Sequence, residues 1–212
     1  MKPSFPPAAS LYLIAGKAGC GKTRLLKRLS AMGAQVIDLE GLAAHKGSAF
    51  GNLQKRAQPT RQSFYECLEQ QWQKMDLSQP IFLESEGPYL GSLDIPKSLF
   101  QQMEAAPVLL LRTDRTIRVA NILADYLGAP LSVVEQAIDT LAPKLGLERS
   151  KACRYYLRNG DWPAFVDVLL DYYDQSFYYQ VAPERVVGSI SLQRNDYNKA
   201  AQSLLKKVAQ LV

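Results

Sequence analysis

Short apolar runs alternate along the chain with stretches in which apolar side chains recur every three or four positions. The runs are bounded by Gly, Pro or polar residues, which is typical of buried strands. They cover residues 11–15, 35–38, 81–84 and 107–112, with a weaker run at 186–191. The periodic stretches predict helices over residues 22–32, 61–75, 96–104 and 196–211. Because strands alternate with helices, the pattern predicts parallel βαβ units in an α/β sandwich.

Two segments depart from this alternation. Residues 40–60 are polar and contain glycine, so they predict a long loop, and such loops in compact domains are usually functional. Residues 114–180 predict a helical lid or insertion within a single domain over residues 1–212. The helical patterns in that insertion cover residues 117–127, 132–141, 150–157 and 162–173.

A phosphate-binding loop follows the first predicted strand. Residues 16–23 match the Walker A pattern G-x-x-x-x-G-K-[ST], with a strand before and a helix after. Backbone N–H groups of such a loop and the following helix N-terminus attract phosphate oxygens. Lys22 is predicted to neutralise phosphate charge and Thr23 to bind Mg²⁺. The predicted phosphate-binding residues are Gly16, Lys17, Ala18, Gly19, Cys20, Gly21, Lys22 and Thr23.

Acidic residues stand at the ends of two predicted strands. Glu84 ends the third strand and Glu86 follows it. A carboxylate there is either a Walker B residue that orders Mg²⁺ or activates water, or part of an exposed acidic turn. Asp38 follows the second strand and is either a base that orients a substrate or a residue that caps a turn. The Cys20 thiol, near a helix N-terminus, is either reactive or a small residue tolerated in the loop.

Composition limits the class of protein. Of 212 residues, 47% are hydrophobic, which is enough for a folded core. No apolar run approaches the ~20 residues of a membrane span, and residues 1–10 lack the apolar stretch of a signal peptide. The three cysteines do not have the paired spacing of metal ligands, and their odd number is more typical of a protein in a reducing cytosol than of a disulfide-bonded one. We therefore expect a cytoplasmic protein with no membrane contact.

The net charge of +5 is unevenly distributed. Residues 1–62 carry +8 and residues 111–160 carry +3, whereas residues 63–110 carry −5. Basic segments of this kind either meet the phosphates of nucleotides and nucleic acids or are solvated faces.

Residues 38–51 carry a more particular pattern, Asp-Leu-Glu-Gly-Leu-Ala-Ala-His-Lys-Gly-Ser-Ala-Phe-Gly. This stretch resembles the one that follows Walker A in the C-terminal P-loop domain of bacterial tRNA 2-selenouridine synthases. The similarity continues at residues 58–60, 84–86 and 95–96, and it covers residues 11–126.

Two features depart from that family. Gly87-Pro88 follows the acidic pair where the family has Ser-Arg, so a basic residue of the substrate contact is missing. Family proteins also begin with a rhodanese-like domain that carries the catalytic Cys and needs on the order of 100 residues. Only ten residues precede the first predicted strand here, and none of the three cysteines lies in a rhodanese loop. We expect this chain to supply the P-loop half, with a separate rhodanese-domain protein as a partner in trans.

The loop and the strand pattern together predict a P-loop NTPase-type three-layer sandwich. We expect a five-stranded parallel sheet of nucleotide-kinase type, with the Glu84 strand beside the Leu11 strand, and a helical lid. The resemblance implies a transferase that modifies the wobble 2-thiouridine of tRNA by geranylation and selenation. The phosphate loop would then hold ATP, GTP or a prenyl diphosphate, with Mg²⁺ at Thr23 and Glu84.

The resemblance also implies roles for individual side chains. His45 is expected to donate to a phosphate or to act as acid or base alongside Asp38 and Glu84, and Phe50 to stack or to pack on a prenyl chain. The remaining residues expected to contact substrate or tRNA are Lys46, Ser48, Gln58, Glu86, Arg112, Arg115 and Arg118. For the arginines a solvent-exposed helix face is the alternative.

Two other functions stay open at this point. One is an ATP-dependent small-molecule kinase or NTPase that uses Lys22, Thr23, Glu84 and Asp38. The other is a non-catalytic module that binds ligand and tRNA and acts with a rhodanese partner.

Overall fold

The computed structural model describes residues 5–8, 10–46, 50, 57–126, 128–177, 181–193 and 195–211. Its strands are β1 (Leu11–Ala15), β2 (Gln35–Ile37), β3 (Ile81–Glu84), β4 (Tyr89–Leu90), β5 (Leu93–Asp94), β6 (Val108–Thr113) and β7 (Val186–Leu192). Its helices are α1 (Lys22–Ala31), α2 (Leu39–Ala43), α3 (Arg61–Gln73), α4 (Lys97–Ala105), α5 (Arg115–Tyr126), α6 (Leu131–Leu145), α7 (Leu147–Arg158), α8 (Trp162–Phe177) and α9 (Tyr197–Val208).

Five parallel strands form the central sheet in the order β2-β3-β1-β6-β7. Strand β1 pairs with β3, so that Ile14 lies opposite Glu84 at the carboxyl edge. Every residue of β1 and β3 is buried, as expected for parallel strands covered on both faces. The predicted five-stranded parallel sheet, with the Glu84 strand beside the Leu11 strand, is confirmed.

Helices cover both faces of the sheet because side chains alternate along each strand. Leu11 and Leu13 pack into a cluster with α3 and α4, which includes Phe64. Tyr12 and Ile14 pack into a second cluster, with α1 and α9. The result is the predicted three-layer sandwich of P-loop NTPase type.

Helices α5–α8 lie between β6 and β7 in the chain and have a core of their own. Phe165 and Ile138 are fully buried in it. Phe50 belongs to the same cluster, with its ring 6.1 Å from that of Phe165. Among the described residues, no helix combines the length and apolar character that a membrane crossing requires.

The segment predicted as a loop over residues 40–60 begins instead with α2. The Asp38 side chain caps this helix by accepting a hydrogen bond from the Gly41 N–H at 2.7 Å. The hairpin of β4 and β5 was not predicted, because two-residue strands are too short to show a period. Ser48 lies outside the described residues, as do residues 47, 49 and 51–56.

Candidate functional site

The phosphate loop joins β1 to α1 and depends on its glycines. Gly19 and Gly21 have φ of +74° and +92°, in the left-handed region that favours glycine. A Cβ on Gly21 would also lie 2.2 Å from the Tyr197 hydroxyl of α9. Both the conformation and the space therefore require glycine at position 21, and the last helix packs directly on the loop.

A cleft of about 700 Å³ opens beside the loop, where the carboxyl ends of the central strands meet. Ligands of α/β proteins bind in this position. Both polar and apolar side chains line the cleft. Among them are Lys22, Thr23, Glu40, Lys46, Glu86 and Asp125, and also Phe100, Met103, Tyr173 and Val181.

Lys22 keeps its positive charge in this cleft. Burial opposes the charge, but the nearby carboxylates of Glu86 and Glu40 raise the lysine pKa above its ordinary value. Burial raises the pKa of the Cys20 thiol. The thiol is only 1% exposed, so it is a small buried side chain rather than an accessible thiolate.

The carboxylate beside Thr23 is that of Glu40. The Thr23 hydroxyl donates to Glu40 Oε2 at 3.0 Å, and the Glu40 backbone N–H donates to Glu84 Oε1 at 2.7 Å. Sequence reasoning did not single out Glu40, because residue 40 was read as the start of a loop. Its position two residues after Asp38, within the family stretch, was the available signal.

Glu84 lies beneath the cleft and not on its wall. It is fully buried, and its Oε2 has no hydrogen-bond partner among the described residues. Burial raises the Glu84 pKa well above its ordinary value, which favours the protonated side chain. The predicted catalytic and metal-binding role of Glu84 stays a prediction, and the structure places Glu40 between it and Thr23.

Glu86 does line the cleft. Burial raises its pKa to about 7, with Lys22 acting in the opposite direction. Glu86 therefore changes charge near neutral pH, close to where an anion would bind.

Residues of the family stretch occupy different positions. Lys46 lines the cleft, with its Nζ 3.0 Å from Asp125 Oδ2. His45 lies outside the cleft lining, against Gly91, and burial lowers its pKa so that it is neutral at pH 7. Gln58 donates to the carbonyls of Ala43 and Leu90 at 3.0 and 2.8 Å, which connects α2 to the β4–β5 hairpin.

The helical lid is bonded to the phosphate loop. Arg118 Nε donates to the Ala18 carbonyl at 2.8 Å, and its terminal nitrogens lie 2.5 and 2.9 Å from the Asp174 carboxylate. Lys17 contacts the same carboxylate at 3.1 Å, and Asn121 donates to the Gly19 carbonyl at 2.9 Å. These contacts fix the lid to the loop at several points.

The other predicted arginines lie away from the cleft lining. Arg115 contacts Asp167 at 2.6 Å and Asp171 at 2.7 Å on α8. Its hydrogen bond to Asp167 raises the arginine pKa. Arg112 is exposed at the end of β6.

A family model of the tRNA 2-selenouridine synthase AAA domain matches residues 9–210 of the chain. The chain belongs to this family. This confirms the resemblance seen over residues 38–51.

Two relatives of the chain support the family assignment. The tRNA 2-selenouridine synthase of Cupriavidus pinatubonensis is 33% identical over 206 residues, which are 79% of this chain and 53% of the relative. That of Marinobacter nauticus is 30% identical over 204 residues, covering 82% and 54%. The chain spans about half the length of these relatives.

Among solved structures, a shikimate kinase from Bacteroides thetaiotaomicron is similar with a TM-score of 0.44 and 12% identity. The match covers 94% of this chain and 98% of that one. The fold assignment of this chain rests on its strand order and phosphate loop.

Proposed function

We propose that this domain binds tRNA and a donor that carries a diphosphate, in the geranylation and selenation of wobble 2-thiouridine. One observation carries the proposal. The lining of the cleft combines the phosphate loop and polar side chains with apolar ones, among them Phe100, Met103 and Val181. A prenyl diphosphate has the same two parts, an anionic head and an apolar chain.

The polar part of the cleft suits the anionic head. Lys22 is charged, and Arg24, Lys27 and Lys46 line the same cleft. Backbone N–H groups of the loop and the N-terminus of α1 add to this positive potential. We therefore place the diphosphate against the loop and Lys22.

Magnesium fits the residues at the loop. The Thr23 hydroxyl and the Glu40 carboxylate, 3.0 Å apart, are oxygen donors of the kind that Mg²⁺ prefers. No group of three or more His, Cys, Asp or Glu suited to a metal occurs in the described part of the chain. The ion would thus share Thr23 and Glu40 with phosphate oxygens and water, and when bound it would neutralise phosphate charge.

Calorimetry tests the proposal. Geranyl diphosphate and tRNA with 2-thiouridine are titrated into the protein, with and without a rhodanese-domain protein. We expect both to bind, and Lys22→Ala to lose geranyl diphosphate while the exposed control Lys74→Ala keeps it. Absence of binding by either ligand in both conditions would contradict the proposal.

A second candidate is a Mg²⁺-dependent kinase or NTPase, which the contact between Thr23 and Glu40 favours. Micromolar ATP binding that requires Mg²⁺, together with indifference to geranyl diphosphate, would support this function. Retained tRNA binding without turnover on any donor would support a non-catalytic module that acts with a rhodanese partner.

A further inference from the structure

One face of α7 presents basic and aromatic side chains to solvent. We call Lys151, Arg154, Tyr155 and Arg158 the α7 stripe. Their spacing of three and four residues places them on one side of the helix. Tyr155 is 65% exposed, so most of its side chain is open to solvent.

The α7 stripe is positively charged, and its ion pairs with acidic residues are weak. The helix carries four basic residues and one acidic residue, Glu148. Lys151 contacts Glu148 at 3.4 Å, and Arg154 contacts Asp139 at 2.5 Å, with both acids more than half exposed. Exposed ion pairs of this kind contribute little to stability. Phosphates can therefore replace these acids at small cost.

The α7 stripe also surrounds a depression. A cavity of about 260 Å³ is lined by Lys151, Arg154, Tyr155, Arg158 and Asn159. An aromatic face bordered by three cations suits a base with its attached phosphates.

The α7 stripe lies one helix away from the cleft. Helix α7 packs against α8, and α8 lines the cleft through Leu169, Leu170 and Tyr173. Packed helices are separated by about 8–10 Å. A molecule as large as a folded RNA is long enough to span this distance.

We propose that the α7 stripe binds tRNA, with its cations on the phosphate backbone and Tyr155 stacked on an unpaired base. This inference rests on the proposed function and assigns its tRNA surface. It adds a surface to the arginines expected from the sequence, of which Arg118 is buried and held by Asp174 of α8.

Salt-dependent tRNA binding tests the cations. In Lys151→Gln/Arg158→Gln we expect affinity for unmodified tRNA to fall about tenfold at low salt. The slope of log K against log salt should fall in magnitude by about 1.4–1.8, the value for two lost phosphate contacts. The control Lys74→Gln/Lys206→Gln makes the same charge change at exposed positions on other elements and should keep the wild-type slope. Equal losses in the two double variants would overturn the inference, because net charge alone would then explain binding.

Tyr155 is tested separately. Tyr155→Ala should weaken tRNA binding about tenfold, and Tyr155→Phe, which keeps the stacking face, should bind as the wild type does. Neither change should alter the affinity for geranyl diphosphate or ATP. Wild-type affinity in Tyr155→Ala would overturn the stacking role.

The outcomes also separate this inference from the proposed function. If the wild type binds tRNA and all stripe variants bind equally well, the assignment of tRNA binding to the α7 stripe is wrong and the proposed function stands. If the wild type binds no tRNA, the proposed function itself fails.

Discussion

The buried carboxyl of Glu84 offers a direct test of how the site is built. It lies at the carboxyl end of β3, and its Oε1 accepts the hydrogen bond from the Glu40 backbone N–H at 2.7 Å. Through this bond Glu84 holds the start of α2, and thus the carboxylate that meets Thr23. Two substitutions separate the shape of the side chain from its ionisation, Glu84→Ala and Glu84→Gln.

The expected losses differ between the two variants. Glu84→Ala leaves the buried N–H of Glu40 without its acceptor, which costs about 1–3 kcal/mol. It also opens a cavity, for about 1–2 kcal/mol more. Glu84→Gln keeps an acceptor and nearly the same volume. Because the unfolded chain is only partly ionised at this position at pH 5, Glu84→Gln should change the free energy of unfolding by less than about 1 kcal/mol at pH 5.

Ionisation of Glu84 should also make the free energy of unfolding depend on pH. The pKa of Glu84 is raised in the folded state, whereas the unfolded chain ionises near the ordinary value of 4.5. As pH rises above 4.5 the unfolded state loses this proton first, so this group destabilises the wild type progressively until the folded pKa is passed. Glu84→Gln lacks that contribution. Its stability relative to wild type should therefore increase from pH 5 to pH 8.

Urea unfolding at pH 5 and pH 8, followed by tryptophan fluorescence, measures all these quantities. Glu66→Gln on the exposed surface of α3 is the control and should show the wild-type pH dependence apart from a small offset. The reasoning would be refuted if Glu84→Gln were as unstable as Glu84→Ala. It would also be refuted if the difference between Glu84→Gln and wild type did not change with pH.

Three further predictions concern the cleft. Glu86 ionises near pH 7, so geranyl diphosphate or ATP should bind more weakly as pH rises from 6 to 8. Calorimetry on Glu86→Gln should show a smaller dependence of affinity on pH. An unchanged dependence would contradict the role of this group. Asp174→Ala leaves the buried Arg118 without its carboxylate, so the free energy of unfolding measured in urea should fall by about 3 kcal/mol. A fall below ~0.5 kcal/mol would mean that other contacts hold the lid to the loop. Gly21→Ala should abolish the binding of phosphate ligands in calorimetry, because the added Cβ would lie 2.2 Å from the Tyr197 hydroxyl. Retained affinity would show that the loop can move aside.

The sequence predicted the sheet and the loop because their signals are local. An apolar run followed by glycines and Lys22-Thr23 fixes β1, the loop and the start of α1 within one short segment. The fold class follows from the alternation of such units, and the structure confirms it.

The detailed site could be predicted less well, because burial and pairing are not visible in a sequence. Glu84 and Glu40 are both carboxylates near the loop, and only the folded chain shows which is buried and which contacts Thr23. In the same way Arg118 is predicted as a ligand contact from its position, whereas its partner Asp174 lies far along the chain on α8. Contacts between distant residues decided these placements.

The contact of Tyr197 with the phosphate loop has a consequence for synthesis of the protein. Its hydroxyl accepts a hydrogen bond from Asn121 Nδ2 at 3.1 Å and lies over Gly21, so α9 supports a loop that precedes it in the chain by most of the domain. On the ribosome the loop would emerge long before this support. We therefore expect the nascent chain to acquire its affinity for phosphates only when α9 has left the exit tunnel and folded back onto α1.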